Sequence, residues 1–379
     1  MKILQVTTVA TTLNSFLLPF TVSFKGEGWK VDAAASDIFE YENVVAAHDN
    51  CFNIDFCRSP FHFFRICRSL IDIRRLLTSQ RYDVVHVHTP IAAFLTRLAS
   101  LGIKNTKVFY TAHGFHYIKT NPKWKNAFFY FMEKIAGFNT DHLFVINQDD
   151  YKFAFEKNIV SSELVSFIHG IGVDTEVYKP VPEARITLIN ELKISEHSII
   201  MLHIAELNNN KNHKVILKAL SMLKKMDRCN DIHYVIVGKG KKRADLEMQI
   251  ELLGLEGCVS FLGRRNDIPL LLSACDFVIL PSLREGLPRS ILEAMCINKP
   301  IIASDIRGCN DLLSTGAGVL VDRHDPVQWA DAIELLYRSP EERELMGRIG
   351  RQLVDGPYKQ QNVVDVVLDV YRKKEVKYD

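Results

Sequence analysis

Two glutamates stand eight positions apart in the segment "LREGLPRSILEA", residues 283 to 294. Gly286 allows a tight turn after Glu285, and Pro288 suits the start of a helix whose first N–H groups can receive an anion. A ligand bound there through a phosphate would meet Glu285 beside the phosphate and Glu293 one helical turn deeper. Each glutamate could then accept hydrogen bonds from ligand hydroxyls. The spacing fits equally well two helix-flanking acids that are stabilised by the helix dipole.

Short β-branched apolar runs alternate with helical patterns along the chain, as in "DFVILPS" just before this segment. Such runs, with helices between them, indicate parallel sheets covered on both faces, that is, an α/β fold class. Ligands of these sheets bind outside the carboxyl ends of the strands, where residues 282 to 290 lie. The strands form two series, so we predict domains at 1–178 and 179–379. The final helix, 358–377, either completes the second domain or crosses back to the first.

Composition excludes several classes of protein. A chain of 379 residues with a net charge of +2 and a mean hydropathy near zero indicates a globular protein of two domains. It argues against a nucleic-acid partner, which would favour a clear basic excess. The eight cysteines show no zinc-like spacing, and threonines interrupt the apolar N-terminal segment, which argues against a signal peptide. A cytoplasmic location is therefore predicted.

Two segments of the first half are candidates for a surface contact. Residues 58 to 81 combine one acid, Asp72, with six arginines and three phenylalanines: Arg58, Arg65, Arg68, Arg74, Arg75, Arg81, Phe61, Phe63 and Phe64. A basic amphipathic helix with aromatic residues predicts contact with an anionic membrane surface, and a core helix with an arginine-rich outer face explains the pattern equally well. The very apolar segment 121–138 is interpreted as buried, with contact to lipid or to a partner as the alternative.

The pattern E-G-L-P-x-S-x-x-E-A, with seven residues between the glutamates, resembles the EX7E motif of retaining GT-B glycosyltransferases of family 4. Four further stretches agree in order and extend the resemblance over most of the chain: "HVHTP" from residue 86, "TAHGFHY" from 111, "AELNNNKNH" from 205 and "FLGRRNDIPLLLSACDFVILPS" from 261. The forms "HGFHY" and "ELNxNKN" are typical of the branch that builds capsular polysaccharide, exopolysaccharide and O-antigen units. The resemblance implies two Rossmann-like domains that face each other across a cleft.

The same resemblance implies a function and its partners. The enzyme would move a sugar from a nucleotide donor, expected to be a UDP-sugar, to a polyprenyl-diphosphate-linked saccharide, with retention of anomeric configuration. It would need no metal and no cofactor, and it would lie at the inner face of the cytoplasmic membrane as a peripheral protein. Closure of the two domains over the donor would exclude water.

Residue roles follow from the resemblance position by position. Glu285, His113 and Lys211 would be catalytic: Glu285 would contact the transferred sugar, and Lys211 would neutralise the leaving diphosphate. The residues assigned to donor binding are Glu293, which would hold the ribose, together with Gly286, Leu287, Pro288, Arg289, Ser290, Gly238 and Arg264. His113 and His116 lack a carboxylate or cysteine at ligand spacing, which disfavours a metal pair. His86 and His88 share one face of a strand and are interpreted as structural.

Two departures from the family pattern change the assignments. The stretch "TTVATTLNSF" lacks the glycine pair that often follows the first strand, so Asn14 and Ser15, with His116, are assigned to the acceptor side. Glu206 stands where many members have an arginine. The cationic role would then fall on Lys211, helped by Arg264 or Arg265.

Three other functions also agree with parts of this pattern. Two carboxylates also describe a glycosidase, although both belong to one turn-helix unit built around an anion site, which a glycosidase does not need. A nucleotide-sugar 2-epimerase of the same fold would convert the donor without an acceptor. A non-catalytic partner in a polysaccharide assembly complex would retain the fold without the reaction.

Overall fold

The computed structural model describes residues 1–57, 62–117 and 121–374, and it divides into two compact units. Unit 1 comprises Met1–Ile171 with Gln361–Asp379, and unit 2 comprises Gly172–Gln360. Each unit is a parallel sheet with helices on its faces. The predicted fold class of two Rossmann-like parallel-sheet domains is confirmed.

Unit 1 is built on a parallel sheet whose described strands have the order β3-β2-β1-β4-β5-β6-β7. The strands are β1 Lys2–Val9, β2 Lys30–Ser36, β3 Cys51–Asn53, β4 Val84–Val87, β5 Lys107–Ala112, β6 His142–Val145 and β7 Val165–Phe167. The helices are α1 Ala10–Thr12, the π-helical turn Leu13–Leu17, α2 Leu18–Gly26, α3 Glu42–Ala47, α4 Phe63–Gln80, α5 Pro90–Ala99, α6 Lys123–Gly137 and α7 Gln148–Glu156, with short 3-10 turns at Ile38–Glu40 and Ser162–Leu164.

Unit 2 repeats this plan with the strand order β10-β9-β8-β11-β12-β13. Its strands are β8 Ile199–Ile204, β9 Ile232–Val237, β10 Val259–Gly263, β11 Phe277–Leu280, β12 Ile301–Ser304 and β13 Gly318–Val321. Its helices are α8 Ala184–Leu192, the 3-10 turn Asn209–Lys211, α9 His213–Lys225, α10 Arg243–Leu253, α11 Ile268–Ala274, α12 Arg289–Cys296, α13 Cys309–Leu313, α14 Pro326–Arg338 and α15 Pro340–Asp355. The last helix of the chain, α16, is Gln360–Lys374.

The central strands of both sheets are apolar because helices cover them on both sides. Every residue of β4, β6, β9, β11 and β12 is buried. Strand order reverses between β1 and β4 in unit 1 and between β8 and β11 in unit 2. At such a switch point the loops after the two strands diverge to opposite faces and leave a crevice for a ligand. Each unit therefore has one such position.

The division between the units differs from the predicted boundary at residue 178. Val173 and Tyr178 are buried in the core of unit 2, and the amide of Val173 donates to the carbonyl of Tyr358. The segment just after Ile171 therefore packs with the second sheet. Tyr371 of α16 packs in unit 1, with its ring 4.7 Å from Phe24, so the final helix crosses back to the first unit.

Helix α6 corrects the interpretation of segment 121–138 as buried. Trp124, Phe128, Phe131 and Ile135 recur at helical spacing, and each is more than half exposed. The buried positions of the helix are instead the small or polar residues Asn126, Ala136 and Gly137. A Cβ on Gly137 would lie 2.0 Å from the carbonyl oxygen of Ile159, so this face packs tightly against the neighbouring backbone. The most exposed apolar residues of α6 therefore lie on its outer face, whereas Phe129, Tyr130 and Met132 are half-buried.

Candidate active site

The two predicted catalytic residues of unit 2 are in direct contact. Lys211 Nζ lies 2.6 Å from Glu285 Oε1, and their side chains are only 22% and 14% exposed. Lys211 ends the 3-10 turn after β8, and Glu285 lies in the loop after β11. These are the two strands on either side of the switch point of unit 2. The structure therefore places a preformed ion pair at the position where this fold binds ligands.

Hydrogen bonds to backbone carbonyls join the two loops that hold this pair. The amide of Leu283 donates to the carbonyl of Asn210 at 2.7 Å, and the Asn210 side-chain amide donates to the carbonyl of Arg284 at 3.0 Å. Arg323, after β13, donates to the carbonyl of Leu283 at 2.8 Å. The ion pair therefore stands on loops that are joined to each other.

Glu293, eight positions after Glu285, is held in a second cluster. The Tyr178 hydroxyl donates to Glu293 Oε1 at 2.6 Å, and Arg289 Nε lies 2.7 Å from the same oxygen. Burial raises the pKa of Glu293, while Arg289 and the hydroxyl of Tyr178 act in the opposite direction. One oxygen of the Glu293 carboxylate thus accepts a hydrogen bond from Tyr178 and forms an ion pair with Arg289. Sequence reasoning missed Tyr178, because it precedes Glu293 by 115 residues in the predicted interdomain segment.

The turn between the two glutamates has the predicted local structure. Pro288 is the N-cap residue of α12 in extended conformation, so Arg289 and Ser290 form the first turn of that helix. Gly286 and Leu287 complete the turn, and Gly286 lies so close to the backbone of the loop after β12 that a Cβ on Gly308 would be 2.1 Å from its carbonyl oxygen. The first turn of α12 thus begins four residues after Glu285.

The glycine of the loop after β9 has a packing role of its own. A Cβ on Gly238, at φ +150°, would lie 1.9 Å from the carbonyl oxygen of Ala205. Only glycine lets this strand end pack against the loop that leads to Lys211. The predicted donor-binding role of Gly238 remains a prediction beside this structural one.

The two arginines proposed to assist Lys211 differ in whether they already form ion pairs. Arg265 forms ion pairs with Asp267 at 2.6 Å and with Glu191 at 2.5 Å, and these hydrogen bonds raise its pKa. Arg264 is exposed and forms no ion pair with any described residue. Arg264 is therefore the one available for an added anion. Glu206 is also exposed and accepts a hydrogen bond from the side chain of Asn208.

In unit 1 the carboxyl ends of β4 and β5 bring three histidines together. The rings of His86 and His88 lie 4.1 Å apart, and His88 Nδ1 lies 3.3 Å from His113 Nε2. Both nitrogens of His86 are hydrogen-bonded, to the hydroxyls of Thr111 and Tyr371, which supports its structural interpretation. Burial lowers the pKa of His86 to about 3 and that of His113 to about 4. This edge is therefore uncharged at neutral pH.

The switch point of unit 1 carries hydroxyl groups and a π-helical turn. The Thr8 and Thr89 hydroxyls lie 2.6 Å apart and join the ends of the two strands at the reversal of strand order. The predicted acceptor-side residues Asn14 and Ser15 lie in the π-helical turn that follows, and both are half-buried. Single π-helical turns recur at functional sites. Sequence periodicity gave no sign of this turn.

His116 lies beyond His113 in the loop after β5. Its ring is 5.0 Å from that of Phe129 in α6, and it lines an apolar cavity of about 450 Å³. The structure thus places His113 on the histidine edge and His116 on the cavity wall. The cavity itself could not be foreseen from the sequence, because its walls come from four separate helices.

The basic helix predicted at residues 58 to 81 corresponds to α4, and some of its arginines already have partners within the protein. Arg65 pairs with Asp55 at 2.6 Å, and Arg74 donates to the carbonyl oxygens of Ala99 and Leu101. Arg68 and Arg75 both lie near Asp72 and remain largely exposed. The aromatic residues Phe63 and Phe64 are 68% and 88% exposed. Arg58 and Phe61 lie outside the described residues.

Within 1–57, 62–117 and 121–374, no group of three or more His, Cys, Asp or Glu side chains has the arrangement of a metal site. Over the same ranges, no helix is both long enough and apolar enough to cross a bilayer.

Comparison with known proteins places this geometry in a family. Residues 184–353 match the model described as "Glycosyl transferases group 1", and residues 2–147 match the model described as "Glycosyl transferase 4-like". The chain is 34% identical over 376 residues to "Putative glycosyltransferase EpsD" of Bacillus subtilis, covering 98% of this chain and 96% of that protein. The chain belongs to the group 1 glycosyltransferases. The predicted family and enzyme class are confirmed.

Two further relatives of this glycosyltransferase bear on substrate and fold. It is 30% identical over 268 residues to the "UDP-Gal:alpha-D-GlcNAc-diphosphoundecaprenol alpha-1,3-galactosyltransferase" of Escherichia coli, covering 70% of this chain and 69% of that enzyme. The crystal structure of Anabaena HepE in complex with UDP-glucose superposes with a TM-score of 0.81 at 20% identity, covering 98% of this chain and all of that one. The latter likeness concerns the fold alone.

Proposed function

We propose that this glycosyltransferase moves a sugar from a UDP-sugar to a polyprenyl-diphosphate-linked saccharide in surface polysaccharide synthesis. The observation that carries the proposal is the Lys211–Glu285 pair at the switch point of unit 2, beside the first turn of α12. A cation and helix amides at one position suit a diphosphate, and a carboxylate beside them suits sugar hydroxyls. The E. coli relative, whose name states a UDP-sugar donor and a diphosphoundecaprenol acceptor, supports both substrate classes.

Donor binding would rearrange the ion pair. Lys211 would turn from Glu285 to the diphosphate, and Glu285 would accept hydrogen bonds from the hydroxyls of the transferred sugar. Glu293, already oriented by Tyr178 and Arg289, would hold the ribose. Arg264 would supply additional positive charge to the phosphates.

The reaction we propose breaks the bond between the anomeric carbon and the diphosphate oxygen, and the electron pair leaves with UDP. The acceptor hydroxyl forms its new bond to the same face of that carbon, and its proton passes to the departing diphosphate. Retention of configuration follows. Lys211 and the amides of Arg289 and Ser290 would stabilise the developing negative charge, so that no metal ion would be needed.

Unit 1 would serve the acceptor. Its histidine edge is uncharged at neutral pH because burial lowers the pKa of His113 and His86. Neutral imidazoles can donate and accept hydrogen bonds with sugar hydroxyls without placing a charge in a buried position. Asn14, Ser15 and His116 are the side chains we assign to the saccharide.

We also propose that the protein lies on the inner face of the cytoplasmic membrane as a peripheral protein. The outer face of α6 exposes Trp124, Phe128, Phe131 and Ile135, and Lys123 and Lys125 flank this row. Aromatic and basic residues on one exposed helix face suit the boundary between lipid headgroups and acyl chains.

The test is a transfer assay with a panel of UDP-sugars, first without and then with undecaprenyl-diphosphate-linked saccharides. We expect sugar in the lipid fraction only when an acceptor is present, with the donor's anomeric configuration in the product and no loss of rate in EDTA. Release of free sugar without an acceptor would contradict transfer. Conversion of the UDP-sugar alone would indicate the epimerase.

A further inference from the structure

Unit 1 contains an apolar cavity of about 450 Å³ that is lined by residues of α4, α5, α6 and α7 and of the loop after β5. This volume lies within the usual range of small-molecule sites. Most of its wall consists of aliphatic and aromatic side chains, among them Ile66, Ile91, Phe94, Phe128, Phe129 and Met132. Such walls exclude water and favour an apolar ligand.

The acidic group in this wall is already neutralised. Glu133 accepts a hydrogen bond from Arg97 Nη2 at 2.8 Å, and the hydroxyl of Tyr110 lies 3.4 Å from its other oxygen. Arg97 is itself buried, with its guanidinium 4.2 Å from the centre of the Tyr110 ring. The carboxylate therefore presents no unpaired charge to the cavity, and the site suits a hydrocarbon.

At its outer side the cavity reaches the exposed face of α6. Phe128 lines the cavity and is also 56% exposed, so it belongs both to the wall and to the exposed row with Trp124 and Phe131. Lys123 and Lys125 stand at the start of this row, and both are exposed. A chain that leaves a lipid surface at this row would enter the cavity past Phe128.

At its inner side the cavity reaches the loop after β5. Phe115, His116 and Tyr117 line it, and His113 lies three residues before His116. Three residues of extended chain span at most about 10 Å. The apolar wall therefore ends within about 10 Å of the histidine edge.

We propose that this cavity binds the isoprenoid chain of the lipid-linked acceptor and directs its saccharide toward the histidine edge. The inference rests on the proposed function and assigns a site to one part of that substrate. A linear hydrocarbon that carries a saccharide at one end matches the apolar cavity, which lies between the aromatic row of α6 and the polar loop after β5.

The site can be tested with a C20 isoprenoid diphosphate that bears a diazirine on its terminal unit. We expect photolabelling of peptides from α5, the loop after β5 and α6, with geranylgeranyl diphosphate competing at least tenfold better than geranyl diphosphate. Competition independent of chain length would mean that only the diphosphate is recognised. Labels confined to the outer face of α6 would indicate surface adsorption. Either result would overturn the proposal.

A matched pair of variants tests whether the dependence of competition on isoprenoid chain length arises in the cavity. Met132→Trp fills the cavity from α6, whereas Leu101→Trp adds the same ring at an exposed position of unit 1. We expect the length dependence to disappear in Met132→Trp and to persist in Leu101→Trp, with both variants retaining the wild-type thermal stabilisation by UDP. Length dependence unchanged in Met132→Trp would refute the site. Length-dependent labelling without sugar transfer by the wild type would refute the proposed function instead.

Discussion

The two units share one strand plan and differ in the chemistry at the switch point. In unit 1 the strands on either side of the reversal end in threonine hydroxyls, with neutral histidines beside them: Thr8, Thr89, His88 and His113. In unit 2 the corresponding loops end in an ion pair, Lys211 and Glu285. Topology therefore fixes the place of a site, and a few loop residues decide which ligand it suits.

The difference in charge has a physical consequence for each unit. Buried imidazoles remain neutral at pH 7 because desolvation disfavours the charged form. A shielded ion pair, in contrast, already contains the cation that a diphosphate needs and the carboxylate that sugar hydroxyls need. We therefore assign the charged edge to the donor and the neutral edge to the acceptor, and the following predictions test that division.

The largest effect is expected from Lys211→Met, which keeps the length of the side chain and removes its charge. Loss of one transition-state donor lowers rate by about 10²–10³-fold, so we expect kcat to fall by about that factor. Lys214→Met is the matched control. Lys214 lies three residues after Lys211 and forms an ion pair with Asp245 at the surface. If the kcat of Lys211→Met were within threefold of the wild-type value, the ion pair of unit 2 would have no part in the mechanism.

The membrane contact should depend on unit 1 alone. Trp124→Ser with Phe131→Ser removes two exposed aromatic rings, and each ring that enters the interface contributes about 1.5–3 kcal/mol. Binding to anionic liposomes should weaken by at least about a hundredfold, and high salt should weaken it further because Lys123 and Lys125 are screened. The double variant Ile186→Ser and Leu252→Ser removes two exposed apolar residues from unit 2 and should bind as wild type. If both double variants lost the same affinity for liposomes, the assignment of the membrane contact to unit 1 would be wrong.

Tyr178→Phe should raise the KM for the donor about threefold to tenfold and leave kcat nearly unchanged. The change removes the hydroxyl that orients Glu293, and a hydrogen bond to a charged group contributes about 1.5–3 kcal/mol, of which only part reaches the ligand. Tyr337→Phe, elsewhere in unit 2, is the control. A fall in kcat with an unchanged KM would show that Glu293 acts on the reaction rather than on binding.

The last prediction concerns acid stability, and its sign follows from the lowered pKa values. His86 and His113 titrate near 3 and 4 in the folded protein but near 6.5 when unfolded. The unfolded chain therefore binds more protons between these values, and stability falls as pH drops from about 6.5 towards 4. Each such group contributes at most about 1.4 kcal/mol per pH unit.

Hydrogen exchange at pH 7.5, 6 and 5 would measure this loss in each unit. Peptides from β4 and β5 should lose protection first, and His86→Gln should flatten the pH dependence. Burial also lowers the pKa of His203, His213 and His233 in unit 2, so its peptides should lose protection over the same pH range, after those of β4 and β5. Protection that increases on acidification would contradict the assigned pKa shifts.

Periodicity and family resemblance together predicted the strands, the two-sheet fold and the loop that holds Glu285. They did not predict the contact between Tyr178 and Glu293, because side chains 115 residues apart meet only through the packing of unit 2. The outer face of α6 was misassigned because composition alone does not say which side of a helix packs. Its spacing did contain that signal, since Trp124, Phe128, Phe131 and Ile135 share one face.

The arginines of α4 show that a count of charged residues in the sequence does not give the charge available at the surface. Counting them predicted a strongly basic surface, but Arg65 and Arg74 are engaged by Asp55 and by backbone carbonyls. Asp55 lies outside the helix, and the carbonyls of Ala99 and Leu101 carry no formal charge, so neither entered the count. Only packing shows which charges remain for a partner.

The central claim, that the charged edge of unit 2 holds the nucleotide, is tested most directly by hydrogen exchange with UDP alone. We predict protection in segments 205–212 and 283–293, and none in 8–17 or 86–89. The protection should be lost in Lys211→Met and retained in Lys214→Met. Protection by UDP at the unit 1 segments, with segments 205–212 and 283–293 unchanged, would contradict the account.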